Sequence, residues 1–324
     1  MTNLLIGLLG AVLATNQPAA VSNLIVQQTG LAVAIPDPND PVEKEYQKLL
    51  DDDNAAQAEA DQWITDEKKF TDQGKGLTGG TLRLRIRQRF DGIGKSYQRF
   101  LERHPGHTRA RLAYGSFLND TGHEDDAVLQ WEKARELDPK NPAALNNLAN
   151  YHGHNGPVEK AFEYYEKAIA LATNEPVYLQ NFATTVYLFR PAATNYFKIN
   201  NQQVFDKALN LYRRALALDP GNFPLATDLA QTFYGIQPPR FEQAMTAWQA
   251  AEKIAHDDIE REGVYLHYAR WRMNSGRLDE ARRDLHLVTN AMYAPVKERL
   301  LKNLATKEVR AKGTNAPPVL NKKP

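Results

Sequence analysis

The stretches LQWEKARELDPKN (129–141), EYYEKAIALATNE (163–175) and NLYRRALALDPGN (210–222) repeat one pattern. An aromatic residue is followed three positions later by alanine, and a second alanine stands four positions before it. Extended along the chain, the aromatic or large apolar series is Tyr97, Trp131, Tyr165, Tyr212, Trp248 and Leu285, at spacings of 34, 34, 47, 36 and 37. Ala127, Ala161, Ala208, Ala244 and Ala281 keep the same offsets, and so do Ala134, Ala168, Ala215, Ala251 and Val288. Three series in step mark an internal repeat with a base period of 34 residues; one unit carries 13 extra residues, within 188–204.

Each landmark fits a pair of helices. Alanines seven apart lie on one helix face, two turns apart, and small side chains there let a neighbouring helix approach closely. The aromatic between them fills the space beside the contact. Pro139 and Pro220 stop the second helix because proline lacks the amide donor. Gly122, Gly156 and Gly276 fall between the helices of their units, where a turn needs a permissive backbone. One such pair cannot bury its apolar face alone, so the units must stack.

These residues resemble the tetratricopeptide repeat, of bacterial type. The resemblance rests on Gly115, Gly122, Ala127, Trp131, Ala134 and Pro139, then Leu145, Leu148, Ala149, Gly156, Ala161, Tyr165 and Ala168, and later Tyr265, Tyr268, Ala269, Gly276 and Ala281. It implies an all-α fold, a right-handed superhelical solenoid of helix–turn–helix repeats with N- and C-terminal capping helices. The repeats are expected at 108–141, 142–175, 176–222, 223–257 and 258–290, preceded by a degenerate unit at 81–107 in which Phe100 replaces a packing alanine, so that the solenoid covers 81–290. Val296, Leu300, Leu301, Leu304 and Val309 form a helical stripe that reads as a capping helix over 291–311, followed by a tail at 312–324.

The N-terminal part divides into an apolar segment and loop (1–36) and an acidic helical segment with a Gly-rich linker (37–80). Leu4–Ala14 is apolar but too short to span a bilayer; it suits the core of an export signal without its basic start, or packs as an apolar segment. The protein is exported to the periplasm if 1–14 is a signal and cytoplasmic otherwise. Over 37–67 eleven acidic residues face only Lys44 and Lys48, which reads first as a solvated acidic face. Over 80–114 nine bases oppose Asp91 and Glu102. We expect the acidic segment to pack on the basic one.

The resemblance also implies function. The first helices of a tetratricopeptide stack line a groove that binds a peptide or protein segment. The expected contacts are Asn146, Asn147, Asn150 and His154, then Gln180, Asn181, Thr184 and Tyr187, then Thr227, Asp228, Gln231 and Tyr234, and finally His267 and Arg270. Amide side chains can pair with an extended backbone, and tyrosines add apolar area with a polar tip; the competing role for the asparagines is to bridge neighbouring repeats. The lysine and asparagine set with which one subtype holds a chaperone's terminal carboxylate is missing, since Leu112, Ser116, Val177 and Asn181 occupy its positions and only Asn147 agrees. The expected function is a non-enzymatic protein-binding scaffold. The alternatives are a structural assembly component using other surfaces and an accessory subunit of an enzyme or RNA-associated complex.

Composition narrows the field. A net charge of +1 gives no overall field for nucleic acid, which is not the expected partner. The absence of cysteine excludes disulfides, thiolate metal sites and cysteine nucleophiles. No cofactor and no metal is expected; the pairs His104/His107 and His152/His154 lack a third ligand at a convincing spacing. Gly74–Gly79 matches a dinucleotide-binding pattern in letters but lacks the strand before it, and Gly92-Ile93-Gly94-Lys95-Ser96 lacks the first glycine of a phosphate loop. Leu82–Arg89 alternates like a strand, yet Leu82, Ile86, Phe90, Ile93, Tyr97 and Leu101 make a longer helical stripe, and we read it as helix. The extra residues 188–204 lengthen the turn of the third unit, with Tyr196 and Phe197 either meeting a partner or tucking onto the stack.

Overall fold

The seam alanines decide the architecture. In the computed structural model, Ala127, Ala134, Ala161, Ala168, Ala208, Ala215, Ala244, Ala251 and Ala281 are all 0% exposed, and the aromatics between them are buried. The structure describes residues 37, 39–72 and 79–314; among these it holds fourteen α-helices and no strand. They are α1 (Pro41–Asp72), α2 (Gly79–Arg103), α3 (Thr108–Asp120), α4 (Glu124–Leu137), α5 (Pro142–Asn155), α6 (Val158–Leu171), α7 (Pro176–Leu188), α8 (Arg190–Phe197), α9 (Asn201–Leu218), α10 (Phe223–Thr232), α11 (Phe241–Lys253), α12 (Asp258–Asn274), α13 (Leu278–Leu287) and α14 (Ala294–Thr314). None is long and apolar enough to cross a membrane. The readings of 1–36, of the linker at 73–78 and of the tail beyond 314 lie outside the described residues. The helices fall into two compact units, divided between Pro139 and Lys140.

The first unit holds α1–α4. Leu82–Arg89 is helical as expected, and α2 buries Ile93, Tyr97, Phe100 and Leu101. The hairpin partner of α2 is α1. The acidic residues of α1 do more than meet solvent. Arg89 donates to Asp52 at 2.8 Å and to Glu59 at 3.0 Å, Arg103 pairs with Glu45, and Arg109 pairs with Glu43. Such exposed pairs contribute little each. The stronger tie is buried: the Tyr97 hydroxyl donates to Asp53 at 2.7 Å, and Tyr46 packs against Phe100. The turn between α2 and α3 joins in. His107 Nδ1 accepts the cap bond from the Ala110 amide, so its proton sits on Nε2, which faces Glu43 at 3.4 Å. Burial holds the His107 pKa below its ordinary value despite Glu43.

In the α3–α4 hairpin, Trp131 lies directly over Gly115. A Cβ on Gly115 would stand 2.3 Å from Trp131 Nε1, which is why only glycine fits there. The hairpin turns use left-handed glycines, with φ of 82° at Gly122, 67° at Gly156 and 81° at Gly276.

The second unit holds α5–α14. Caps fix its helix starts: the Asn141 side chain accepts from the Ala143 and Ala144 amides ahead of α5, Asn222 accepts from Leu225 ahead of α10, and Asn200 forms a capping box with Gln203 ahead of α9. One apolar cluster runs from Ala149 through the seam to Trp271, and a second joins α12 and α13 to Leu300 and Leu304 of α14.

Two expectations need correction here. The extra residues of the third unit are not merely a longer turn. Most of them form α8, which ends at Lys198 in the left-handed region, and Tyr196 and Phe197 pack at 5.4 and 5.2 Å from the Phe162 ring. Their aromatic area is thus used internally, and Lys207 closes over Phe197 at 4.0 Å. The capping helix runs to Thr314, past the expected boundary at 311, and Val309 is 71% exposed. It stands five residues beyond Leu304, which turns it off the apolar stripe.

Two measurements check this packing. Gly115→Ala drives a methyl group into Trp131 and is expected to cost about 1–3 kcal/mol, as over-packing does; an unchanged Tm would contradict the contact. Deleting residues 1–72 uncovers Tyr97 and Phe100 and is expected to lower the Tm; unaltered thermal stability would mean that α1 does not hold the first unit.

Candidate functional site

The expected contact residues lie on α5, α7, α10, the single 3-10 turn after α10, and α12, the first helices of four successive hairpins. Several of them bond to one another across repeats. Asn181 Nδ2 donates to the Asn146 side-chain oxygen at 3.2 Å, from α7 to α5. Gln180 Nε2 donates to Asp228 at 2.8 Å, from α7 to α10. The Tyr234 hydroxyl meets His267 Nδ1 at 2.9 Å, linking the turn after α10 to α12. A second row lies deeper: Asn150 accepts from the Tyr165 hydroxyl, Thr185 donates to that hydroxyl at 3.3 Å, and Thr184 meets the Tyr212 hydroxyl at 2.8 Å. Burial pushes the Tyr165 and Tyr212 hydroxyls up to about 12, so they remain neutral hydrogen-bonding groups.

The set therefore divides. Asn146 is buried and bridges repeats, and Gln180, Asn181, Asn150 and Thr184 spend bonds inside the stack. Thr227 bonds its own helix at Pro224, and Tyr187 closes against Gly235, where a Cβ would meet its hydroxyl at 2.2 Å. Asn147 and Arg270 are partly open, and His154 and Gln231 are exposed. Asn147 Nδ2 and the whole amide of Gln231 have no partner among the described residues. His267 is not a surface contact: its ring stacks on Trp248 at 3.9 Å with 12° between planes. Burial, with Arg270 beside it, pushes its pKa down to about 4.

The register of small and aromatic residues is now matched by the packing, and a tetratricopeptide-repeat family profile matches residues 120–176. Residues 120–176 are thereby assigned to the tetratricopeptide repeat. The chain is 27% identical over 128 residues to the photosystem I assembly protein Ycf3 of Rippkaea orientalis (strain PCC 8801 / RF-1), a match covering 37% of this chain and 74% of that one. Among solved structures it is similar to the type IV pilus biogenesis factor PilW, at 15% identity and a TM-score of 0.52, over 76% of this chain and 98% of that one. A thermophilic tetratricopeptide-repeat protein of Thermus thermophilus matches at 19% identity and a TM-score of 0.43, over 62% of this chain and 99% of that one. The tetratricopeptide repeat is a protein–protein interaction fold, and its members are typically scaffolds without catalysis.

Letter-level motifs do not survive as sites in these helices. Gly92–Ser96 lies inside α2, with Ile93 buried and Ser96 bonded back to the Gly92 carbonyl at 3.1 Å, so no loop exists to cradle a phosphate. His104 and His107 face Glu45 and Glu43, and no group of three ligating side chains able to hold a metal occurs among the described residues. Sequence reasoning missed the contribution of α14, whose polar side enters a cleft beside Tyr234 and Arg270; the only signal was its run of bases beside a narrow apolar stripe.

The His267 environment sets a pH dependence. Its folded pKa lies below the ordinary 6.5, so it supplies stability that is complete above about pH 6.5 and is lost as pH falls towards 4. The full shift corresponds to about 3 kcal/mol at most. Urea midpoints at pH 7 and pH 4.5 should differ less for His267→Phe, which keeps the stack on Trp248, than for the native chain; an equal loss in both would contradict this assignment.

Proposed function

We propose that the protein is a scaffold that holds an extended segment of another protein along the first-helix face of α5, α7, α10 and α12. The supporting observation is the row of amide and hydroxyl side chains on this face. The inter-repeat bonds fix its spacing, while Asn147 Nδ2 and the Gln231 amide keep unfilled donors and an acceptor suited to a peptide backbone. Rigid presentation of such groups lowers the ordering cost of binding. The similarity to a protein named for photosystem I assembly favours a partner that is a subunit of a complex under construction.

Asn147→Ala combined with Gln231→Ala removes bonding groups that the stack does not use. Each hydrogen bond contributes about 0.5–1.5 kcal/mol, so the double variant should bind the captured partner about tenfold more weakly at unchanged helicity. Gln180→Ala should instead lower stability, through the lost bond to Asp228. Full partner affinity in the Asn147/Gln231 variant would contradict the proposal and favour other surfaces.

A further inference from the structure

At the end of the first-helix face, α12 and α14 enclose a cleft of about 490 Å³. Its lining includes Arg270 and Asn274 from α12 and Arg299, Asn303, Lys307 and Arg310 from α14, with no carboxylate among the lining residues. The α14 residues stand four, four and three apart, one polar stripe down the helix. Two charged side chains of α14 are engaged with other elements: Glu308 is held by Arg282 of α13, and Lys297 donates to the Val288 carbonyl at 2.7 Å. Arg270, Arg299 and Lys307 have no ion-pair partner among the described residues. Like charges crowded at a cleft repel one another, and an anion that enters relieves them.

A second feature adjoins it. Tyr234 and Asn274 also line a smaller pocket of about 170 Å³, whose other walls include Phe233, Ile236, Phe241 and Trp271. The Tyr234 ring lies 5.0 Å from Trp271 and nearly parallel to it, at 20°. A cationic cleft and an aromatic pocket thus share one wall. A phosphodiester chain or free phosphate would use the first and leave the second empty. A peptide can fill both, with a carboxylate in the cleft and an apolar side chain beside it in the pocket.

We propose that this paired site binds an acidic segment of a partner protein in which a carboxylate stands within a residue or two of a large apolar side chain. The proposal rests on the scaffold reading above and adds the partner's chemistry. The volume suits a few side chains rather than a whole domain. Carboxylate–guanidinium bonds are charge-assisted and often bidentate, which gives the site both attraction and orientation.

The test is selection of a phage-displayed library of random dodecapeptides on the full-length chain, followed by affinity measurement of the enriched peptide. Enrichment of Asp or Glu beside Leu, Phe, Ile or Met supports the proposal, as does loss of about tenfold or more in affinity for Arg299→Glu with Lys307→Glu. The variant's circular dichroism should match the native chain, and Lys307→Gln serves as a milder change should the double variant fail to fold. Enrichment of neutral or basic peptides, no enrichment, or unchanged affinity in the variants overturns it. So does tighter binding of inorganic phosphate or a single-stranded oligonucleotide with the same sensitivity to these variants. If Asn147→Ala with Gln231→Ala abolishes peptide binding while the Arg299/Lys307 change does not, the cleft fails and the scaffold face stands. If only the Arg299/Lys307 change matters, the cleft stands and the longer face does not.

Discussion

Everything in the second unit depends on how closely one helix can lie on the next. Ala161 and Ala168 on α6, Ala208 and Ala215 on α9, and Ala244 and Ala251 on α11 present a strip without side-chain bulk, and all six are removed from solvent. The aromatic between each pair, Tyr165, Tyr212 or Trp248, then closes the space beside the strip. An alanine seam gives little hydrophobic gain by itself. Its effect is steric: it sets the approach distance, and the large neighbours supply the buried area. The same logic places Trp131 on Gly115 in the first unit, where even a methyl group would not fit.

That constraint also frees the opposite side of the hairpins for recognition. With the apolar seam and its aromatics turned inward, the first helices carry amides and hydroxyls on the remaining face, and these join repeat to repeat through Asn146–Asn181, Gln180–Asp228 and Tyr234–His267. Such bonds satisfy buried polar atoms and hold the partly open Asn147 and the exposed Gln231 on a defined frame. At the last repeat the frame ends on α14, which closes the apolar end with Leu300 and Leu304 and turns its bases towards Arg270. One helix therefore both ends the core and shapes the surface.

The repeat architecture was legible because its signal is periodic and local. Trp131, Tyr165 and Tyr212 share a register, and Gly122, Gly156 and Gly276 sit where the chain needs positive φ. What escaped was set by contacts distant in sequence. Nothing near Asn146 or Gln180 says that its amide is taken by Asn181 or Asp228, and nothing near His267 announces the stack on Trp248. The α8 helix was hidden because its eight residues, Arg190–Phe197, are too few for a periodic signal, and their anchor, Phe162, belongs to the preceding repeat. Val309 was read into the apolar stripe of the capping helix, but five residues past Leu304 the helix rotates it into solvent. The acidic segment was readable as a partner for the basic one, since both charge runs are explicit, although the buried Tyr97–Asp53 bond was not.

The most direct measurement is urea unfolding of Ala161→Leu and Ala168→Leu beside a matched substitution at the exposed Glu163. The seam account predicts that each alanine variant loses about 1–3 kcal/mol with cooperative unfolding retained, while the Glu163 variant stays within about 0.5 kcal/mol of the native chain. Alanine variants as stable as the native protein would show that the helices do not meet at this seam.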